Sequence, residues 1–469
     1  MSKKVKTIFV CQECGYESPA WMGQCICGAW NSFIEERVQP GTVAGIVADD
    51  PRIRNAPPVP VPLSNLSSQE EDRLDTGIFE LNRVLGGGIV KGSLTLITGE
   101  PGIGKSTLIL QSAIKLSEAD SNTVLYVSGE ESGEQIRIRA DRLTDDIPGS
   151  LLLLAETNME NILGQVAVLK PVLLIIDSIQ TMYTESLDSA AGSVSQVRAC
   201  TNEIMRAAKT LGVPVFIVAH VTKSGELAGP KIIEHLVDCV LHFTGDRTQD
   251  IRILRAQKNR FGTTSEVGAF EMREEGLAEI ANLSGSLLDG MEAATEGAIA
   301  TAVYEGTRPL LLEMQALTAS SGPGFGRRTA IGVENARLNM IIAVLERRAR
   351  LDLSAKDVYV NVVGGIRPEG TSPDLAVALA IWSSAKGVSI QPHTCAIGEI
   401  GLTGELRSVK NADKITAEAA KLGFTDLILP AKNAAKINAP QSLKLHGAAT
   451  IVDAVRFIDA PPAKPYTPR

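Results

Sequence analysis

Residues 99–107 read Gly-Glu-Pro-Gly-Ile-Gly-Lys-Ser-Thr, and they fill the G-x-x-x-x-G-K-[ST] pattern of a phosphate-binding loop. The preceding residues 93–98 are apolar and β-branched, as in a buried strand. The following residues 107–116 carry apolar side chains at helical spacing. A glycine-rich turn that matched the pattern by chance would lack this order of strand, loop and helix. The sequence therefore predicts a protein that binds a nucleoside triphosphate.

Two further predicted strands end in carboxylates. Residues 172–177 read Val-Leu-Leu-Ile-Ile-Asp, a Walker B pattern in which Asp177 would hold Mg²⁺ through its water shell. The alternative is a buried strand that merely ends at a helix-capping Asp. Residues 123–128 form another strand and lead into Glu130 and Glu131. Because the carboxyl ends of parallel strands face the nucleotide crevice, Glu130 is the candidate for polarising the attacking water, with Glu131 as the alternate. Acidic residues are also common at helix starts for structural reasons.

The loop and a fourth strand complete the predicted site for ATP and Mg²⁺. Lys105 would place a point charge on the phosphates, and the Ser106 hydroxyl would be a second Mg²⁺ ligand. Residues 213–219 form an apolar strand that delivers His220 to the same edge, either as a sensor of the γ-phosphate or as an ordinary histidine. The predicted contacts with ATP are Gly99, Glu100, Pro101, Gly102, Ile103, Gly104, Lys105, Ser106, Thr107 and His220.

Four of the seven cysteines lie in the first 30 residues, in the order Cys11, Cys14, Cys25 and Cys27. Two short knuckles of this kind would bring four thiolates to one tetrahedral Zn²⁺, whose binding would supply the folding energy of so small a domain. The alternatives are two disulfides or unrelated thiols. The single residue between Cys25 and Cys27 makes a tighter turn than the usual two, so ligation by Cys27 stays open at this stage.

Length and composition limit the class of protein. A chain of 469 residues predicts about three domains. No apolar run approaches the roughly 20 residues that span a bilayer, and no signal peptide is evident, so we expect a cytoplasmic protein with no membrane partner. The net charge of −8 neither indicates nor excludes binding to nucleic acid. The predicted segments are a zinc knuckle (1–36), a Pro-rich linker (37–72), a parallel α/β ATPase domain (73–283), a small polar hinge (284–297), a second α/β domain (298–460) and a tail (461–469).

One cationic segment, Lys258-Asn-Arg260-Phe-Gly, stands outside the nucleotide motifs. Two cations at this spacing on a strand point to the same side. On spacing alone, a solvated hairpin tip explains the pair as well as a functional role does.

Taken together, these motifs resemble the bacterial RadA family, also called Sms. The resemblance includes the cysteine knuckle with Trp21 and Trp30, the phosphate-binding loop, the segments that follow Glu130 and Asp177, the Lys258–Gly262 segment, and the C-terminal stretches at 374–379 and 398–407. It implies a RecA-like ATPase core in a hexameric ring around single-stranded or branched DNA, and branch migration in recombination and repair alongside the strand-exchange recombinase. It also implies that Lys258 and Arg260 reach the γ-phosphate in a neighbouring subunit.

The same resemblance makes the C-terminal domain similar to the proteolytic domain of Lon, which uses a Ser–Lys pair. Here the matching helix start reads Gly-Thr-Ser-Pro-Asp at 370–374, with Asp374 near the place of the nucleophile. Ser372 and Pro373 are better interpreted as the N-cap and first residue of a helix, so we expect no peptidase activity.

Other functions and the DNA contacts remain expectations. An ATP-dependent protease, or a nucleotide switch of the KaiC type, would share parts of this architecture, although KaiC-type proteins carry tandem cores and this chain has one phosphate-binding loop. Candidate contacts with DNA phosphates are Lys223, Lys231 and residues 188–198.

Overall fold

The structure is a computed structural model of the chain. It describes residues 6–11, 13, 15–38, 62, 73–119, 122–219, 230–245, 250–288, 290–291, 293–305, 308–321, 326–364, 368 and 370–459. The chain divides into two compact units, Met1–Ile280 and Ala281–Arg469. No helix within the described ranges is both long and apolar enough to cross a membrane. Three of the predicted functional residues, Cys14, His220 and Lys223, lie outside the described residues, as does the side chain of Lys231.

The first unit begins with a small antiparallel sheet of three strands in the order β2-β1-β3. Its hydrophobic core consists of Cys11, Cys25 and Phe33, against which Phe9 and Ala29 pack. Apolar burial by so few side chains cannot hold a domain together, so this ribbon requires a second source of stability. Its strands are β1 (Lys6–Cys11), β2 (Glu17–Ser18) and β3 (Phe33–Val38).

The main sheet of the first unit has nine strands, and six of them run parallel. The four strands predicted from the sequence are all present and buried along their whole length, as expected for a parallel sheet with both faces covered. The parallel strands lie in the order β11-β6-β10-β9-β7-β8, so β10 separates the loop strand β6 from the Walker B strand β9. They are β6 (Leu94–Gly99), β7 (Val124–Ser128), β8 (Leu151–Ala155), β9 (Leu173–Asp177), β10 (Val215–Val218) and β11 (Cys239–Gly245).

Antiparallel strands and six helices complete this unit, which is a RecA-like core. Side chains alternate between the two faces of the sheet: Ile175 packs with α1, α2 and α3 on one side, and Ile176 packs with α4, α5 and α6 on the other. The helices are α1 (Phe79–Leu85), α2 (Lys105–Ser117), α3 (Gly133–Leu143), α4 (Met159–Leu169), α5 (Val194–Leu211) and α6 (Pro230–Leu236). The remaining strands are β4 (Arg73–Leu74), β5 (Ile89–Val90), β12 (Ile251–Asn259), β13 (Val267–Arg273) and β14 (Gly276–Glu279).

The second unit is the Lon-like α/β domain, built on a mixed sheet of seven strands in the order β18-β19-β17-β16-β21-β24-β25. Its helices are α7 (Leu283–Leu287), α8 (Asn335–Arg348), α9 (Asp374–Lys386), α10 (Ala412–Lys421), α11 (Ala431–Ala434) and α12 (Ile451–Asp459). Its strands are β15 (Thr295–Glu296), β16 (Ala298–Glu305), β17 (Arg308–Ser320), β18 (Arg328–Ile331), β19 (Lys356–Val362), β20 (Ser389–Ile390), β21 (Thr394–Ala396), β22 (Glu399–Ile400), β23 (Leu406–Arg407), β24 (Asp426–Pro430) and β25 (Lys444–Ala448).

Two segments of the second unit differ from the sequence prediction. Residues 284–297, expected as a polar hinge, contain most of α7 and all of β15. They are held because Leu283 and Leu287 are buried and the Ser284 hydroxyl accepts the Leu311 N–H at 3.1 Å. The predicted hairpin at 396–409 is reduced to the short pair β22 and β23.

Candidate functional site

The phosphate-binding loop connects β6 directly to α2. Gly99 has φ 151°, and a Cβ there would lie 2.4 Å from the Phe243 carbonyl oxygen. Gly104 has φ 110°, and a Cβ there would lie 2.8 Å from the terminal methyl of Met272. Gly99 therefore requires glycine for backbone conformation and for space, and Gly104 requires it for backbone conformation. The loop places the N-terminus of α2, with its unpaired N–H groups, at the mouth of the site.

Lys105 is held in place by the loop itself. Its ammonium donates to the carbonyls of Gly99 at 2.8 Å and Glu100 at 3.0 Å, and the side chain is almost fully buried. Burial lowers the pKa of Lys105 to about 8, while the charges of Asp177 and Glu130 act in the opposite direction. One cation and two carboxylates therefore meet at the same edge of the sheet, as the motifs predict.

Asp177 has a partner that the sequence analysis missed. The hydroxyl of Tyr126, on β7, donates to Oδ2 of Asp177 at 2.5 Å, and Tyr126 is only 1% exposed. Burial, together with the charge of Asp177, raises the pKa of the Tyr126 phenol well above its usual value. The signal was available in the sequence, because a tyrosine in a fully apolar strand needs a partner for its hydroxyl. The contact fixes the orientation of the carboxylate expected to hold Mg²⁺.

The structure distinguishes the surroundings of the two adjacent glutamates, which the sequence alone does not. Glu130 accepts a hydrogen bond from the hydroxyl of Ser178, the residue after Asp177, and its charge acts on Lys105. Glu131 instead forms an ion pair with Nη2 of Arg139, on α3. Both glutamates line the same cavity, but Glu130 is bonded to the residue beside Asp177, whereas Glu131 is paired with a cation of α3.

A cavity of about 450 Å³ lies between these groups. Besides the predicted Gly102, Gly104, Lys105, Ser106, Thr107, Glu130 and Asp177, its lining includes Ser128, Glu131, Arg139, Arg252 and Met272. The sequence analysis did not identify either arginine. Arg252 is 7% exposed and lies on β12, where no motif marks it, and Arg139 is one of several arginines on α3. The cavity contains the groups that a nucleoside triphosphate with Mg²⁺ requires: loop amides, a buried cation, a hydroxyl and carboxylates.

Lys258 and Arg260 lie at the opposite end of the sheet from this cavity. Asn259, at the end of β12, pairs with Cys239 on the neighbouring strand β11. Cys239 in turn pairs with Thr95, near the start of β6. At about 3.3 Å per residue, the five steps of β6 from Leu94 to Gly99 span about 16 Å. Neither cation can therefore reach the phosphate site of its own subunit. β12 ends at Asn259, so Lys258 lies on the strand and Arg260 directly follows it.

The predicted DNA segment at 188–198 is ordered by a buried glutamine. Gln196 donates to the carbonyls of Thr184, Leu187 and Ser189 at 3.2, 3.1 and 3.0 Å. Arg198, at the end of the segment, donates to the carbonyl of Gly15 in the ribbon at 2.6 Å. At least one of the predicted DNA-contacting cations is thus engaged within the unit.

The described cysteines of the ribbon converge on one point. The sulfur atoms of Cys11, Cys25 and Cys27 all lie within 4.8 Å of one another, and those of Cys11 and Cys27 are 3.9 Å apart. Tetrahedral coordination with Zn–S bonds of about 2.3 Å requires S–S separations of about 3.8 Å, so these residues fit Zn²⁺. The structure therefore brings Cys27 into the cluster despite its short spacing from Cys25.

The region that matches a Lon-type active site is occupied by structural contacts. The hydroxyl of Ser372 donates to the carbonyl of Ala302 at 2.9 Å. Pro373, rather than the predicted Ser372, is the N-cap of α9. Asp374 is buried and paired with Arg337, and it accepts the Ile400 N–H at 3.1 Å. Among the described residues that line the adjacent cavity, no lysine is present to act as a base.

Comparison with known proteins supports each part of this architecture. Three families match: the rubredoxin metal binding domain over residues 9–35, the AAA domain over 60–226, and subunit ChlI of Mg-chelatase over 327–433. The DNA repair protein RadA of Bacillus subtilis (strain 168) is 48% identical over 97% of this chain and 98% of its own length. The protein of the same name from Listeria monocytogenes is 44% identical over 97% and 98%. These relatives match nearly the whole chain.

Proposed function

The chain belongs to the family of the DNA repair protein RadA, and we propose that it is a DNA-dependent ATPase that works as a ring-shaped motor in recombination and repair. In this proposal ATP hydrolysis drives branch migration of recombination intermediates together with the strand-exchange recombinase. The observation that carries the proposal is the position of Lys258 and Arg260, which lie about 10 Å and about 16 Å, respectively, along β6 from the phosphate loop of their own subunit. In the proposal, cations at this end of the sheet serve the site of another subunit.

The hydrolytic step follows from the residues around the cavity. The loop amides and Lys105 bind the β- and γ-phosphates, and Lys105 exchanges its carbonyl partners for phosphate oxygens. Ser106 and Asp177 would hold Mg²⁺, which neutralises charge on the phosphates when bound. Glu130 orients and polarises the attacking water. Its bond from Ser178 keeps this carboxylate beside Asp177.

The neighbouring subunit completes the site. Arg260 is 58% exposed and extends from the edge of the sheet. As an arginine finger it would stabilise the negative charge that develops on the transferred phosphoryl group. Lys258 would act beside it. Hydrolysis in this arrangement requires assembly, in agreement with the hexameric ring that the family resemblance implies.

We assign DNA binding to Lys223, to Lys231 and to residues 188–198. Contacts of these cations with phosphates would give little base preference and an affinity that falls steeply with salt. The ribbon, with Zn²⁺ held by its cysteines, would bind a protein partner such as the recombinase. Its exposed tryptophans, Trp21 at 55% and Trp30 at 70%, have the amphipathic character that is common at protein interfaces.

Steady-state ATP hydrolysis with and without single-stranded DNA tests the proposal. The wild type should be stimulated by DNA, Lys105→Ala should hydrolyse no ATP, and Arg260→Ala should bind ATP but turn it over only at a small residual rate. Hydrolysis indifferent to DNA would favour a nucleotide switch instead. The protease alternative lacks a free nucleophile at Ser372, and it would return only if proteolysis were observed and lost in Ser372→Ala.

A further inference from the structure

Asp238, between α6 and β11, is a buried carboxylate that connects the finger segment to the core of its own subunit. It is 4% exposed. Its Oδ2 accepts the backbone N–H of Leu94 at 3.1 Å and the ammonium of Lys209 at 2.8 Å. Its Oδ1 accepts from Nη1 of Arg260 at 3.2 Å. No motif in the sequence analysis included this residue.

Backbone bonds reinforce the same connection. The Asp238 N–H donates to the Leu94 carbonyl at 3.0 Å, and the Arg260 N–H donates to the Asp238 carbonyl at 3.1 Å. Arg260 is therefore tied to Asp238 through both its backbone and its side chain. Because Leu94 begins β6, the strand that ends in the phosphate loop, the finger is attached to one end of a strand whose other end is the nucleotide site.

Lys258 is anchored next to the same point. Its ammonium donates to the carbonyls of Glu234 at 2.7 Å and Val237 at 2.8 Å, at the C-terminal end of α6. Both cations of the segment thus converge on the turn between α6 and β11. Lys258 is bonded to carbonyls, whereas the side chain of Arg260 has one carboxylate partner, Asp238, among the residues that the structure describes.

We propose that Asp238 is the positioning residue of the Arg260 finger: it restricts an exposed, flexible arginine to the orientation in which it meets the ATP of the neighbouring subunit. This inference rests on the proposed function, in which Arg260 acts in trans. Asp238 does not contact the nucleotide, and it works only through Arg260. Positioning of this kind affects turnover more than substrate binding, because a small displacement of a charged group costs rate in the transition state.

The test is a kinetic comparison of Asp238→Asn, which keeps the shape of the side chain and removes its charge. We expect kcat to fall on the order of tenfold to a hundredfold while KM for ATP stays within about twofold. Adding Asp238→Asn to Arg260→Ala should cause no further loss, because both changes disable one unit. The matched control is Lys209→Met, which removes the other cation of the same carboxylate without touching Arg260, and its turnover should remain near that of the wild type.

Mixed assemblies separate failure of this inference from failure of the proposed function. Lys105→Ala subunits have an intact finger but no working site, so mixing them with Arg260→Ala subunits should restore turnover if the finger acts in trans. No restoration in that mixture would overturn the trans-acting finger itself. A second mixture combines Lys105→Ala subunits with Asp238→Asn subunits. If turnover is restored in the first mixture but not in this one, only the role of Asp238 is overturned. Additive losses in the double variant, or an equal loss in Lys209→Met, would also overturn it.

Discussion

Replacing Tyr126 with phenylalanine would test whether the hydrogen bond from Tyr126 to Asp177 controls the magnesium site. The substitution removes one hydroxyl from a fully buried side chain and leaves its ring in place. Asp177 then loses the 2.5 Å bond that fixes Oδ2. Hydrogen bonds to charged groups contribute about 1.5–3 kcal/mol. At about 1.4 kcal/mol per factor of ten, this corresponds to a change of about ten- to a hundredfold.

We expect this loss to appear in the Mg²⁺ requirement. Partners that orient metal-binding carboxylates typically affect metal affinity or activity by about 10- to 100-fold when they are removed. Tyr126→Phe should therefore raise the Mg²⁺ concentration that gives half-maximal ATP hydrolysis by about that factor. Saturating Mg²⁺ should restore much of the rate, because the carboxylate itself is unchanged.

The assay is a Mg²⁺ titration of ATP hydrolysis at saturating ATP, with thermal unfolding as a check on the fold. Tyr183→Phe is the matched control: Tyr183 is half-buried on the segment after β9, and its backbone, rather than its hydroxyl, pairs with Thr157 and Met159. Its titration should coincide with that of the wild type. A Mg²⁺ requirement in Tyr126→Phe that equals the wild-type value would refute the reasoning.

Three further predictions concern the glutamates, the zinc site and the second unit. Glu130→Gln should bind ATP and lose turnover by about 10²- to 10⁴-fold, whereas Glu131→Gln should retain most of the wild-type turnover. A larger loss in Glu131→Gln than in Glu130→Gln, measured in a hydrolysis assay, would assign the role of polarising the water to Glu131. Cys27→Ser should reduce the zinc content of the purified protein below one ion per chain, measured by metal analysis, and undiminished zinc would remove Cys27 from the ligand set. Arg337→Met should destabilise the second unit by about 3–5 kcal/mol in chemical unfolding, because Asp374 would stay buried without its cation; an unchanged midpoint would contradict this.

The predicted residues Lys105, Glu130 and Asp177 line one cavity because the motifs that contain them are local. The loop at 99–107 needs glycines at positions that only glycine can occupy, and Asp177 follows an apolar strand whose end is fixed by the sheet. The choice between Glu130 and Glu131 could not be made, since two adjacent residues share every local signal. Their difference arises from Ser178, which is 48 residues from Glu130 along the chain, and from Arg139, which lies on the helix that follows Glu131.

Long-range contacts also explain the other differences. A small polar composition predicted a hinge at 284–297, yet Leu283 and Leu287 anchor a helix there because the second sheet covers them. The motif at 370–374 predicted a capping role for Ser372, but its hydroxyl is used by the carbonyl of Ala302 on a neighbouring strand. Asp238 gave no signal because a single acidic residue between apolar neighbours is indistinguishable from an ordinary strand start.

One strand, β6, relates the two chemical functions of the ATPase unit. Its C-terminal end opens into the phosphate loop, and its N-terminal residue Leu94 is bonded to Asp238 and through it to Arg260. A strand buried on both faces and paired on both sides is among the least deformable parts of a parallel sheet. The phosphate loop and Arg260 are therefore joined by a continuous path along β6 and through Asp238, and the proposed function would use this path to relate the nucleotide site to the finger. In the proposed ring, the end of β6 that carries Asp238 and Arg260 would face the site of the next subunit, and the nucleotide state of one site would then bear on the completion of its neighbour.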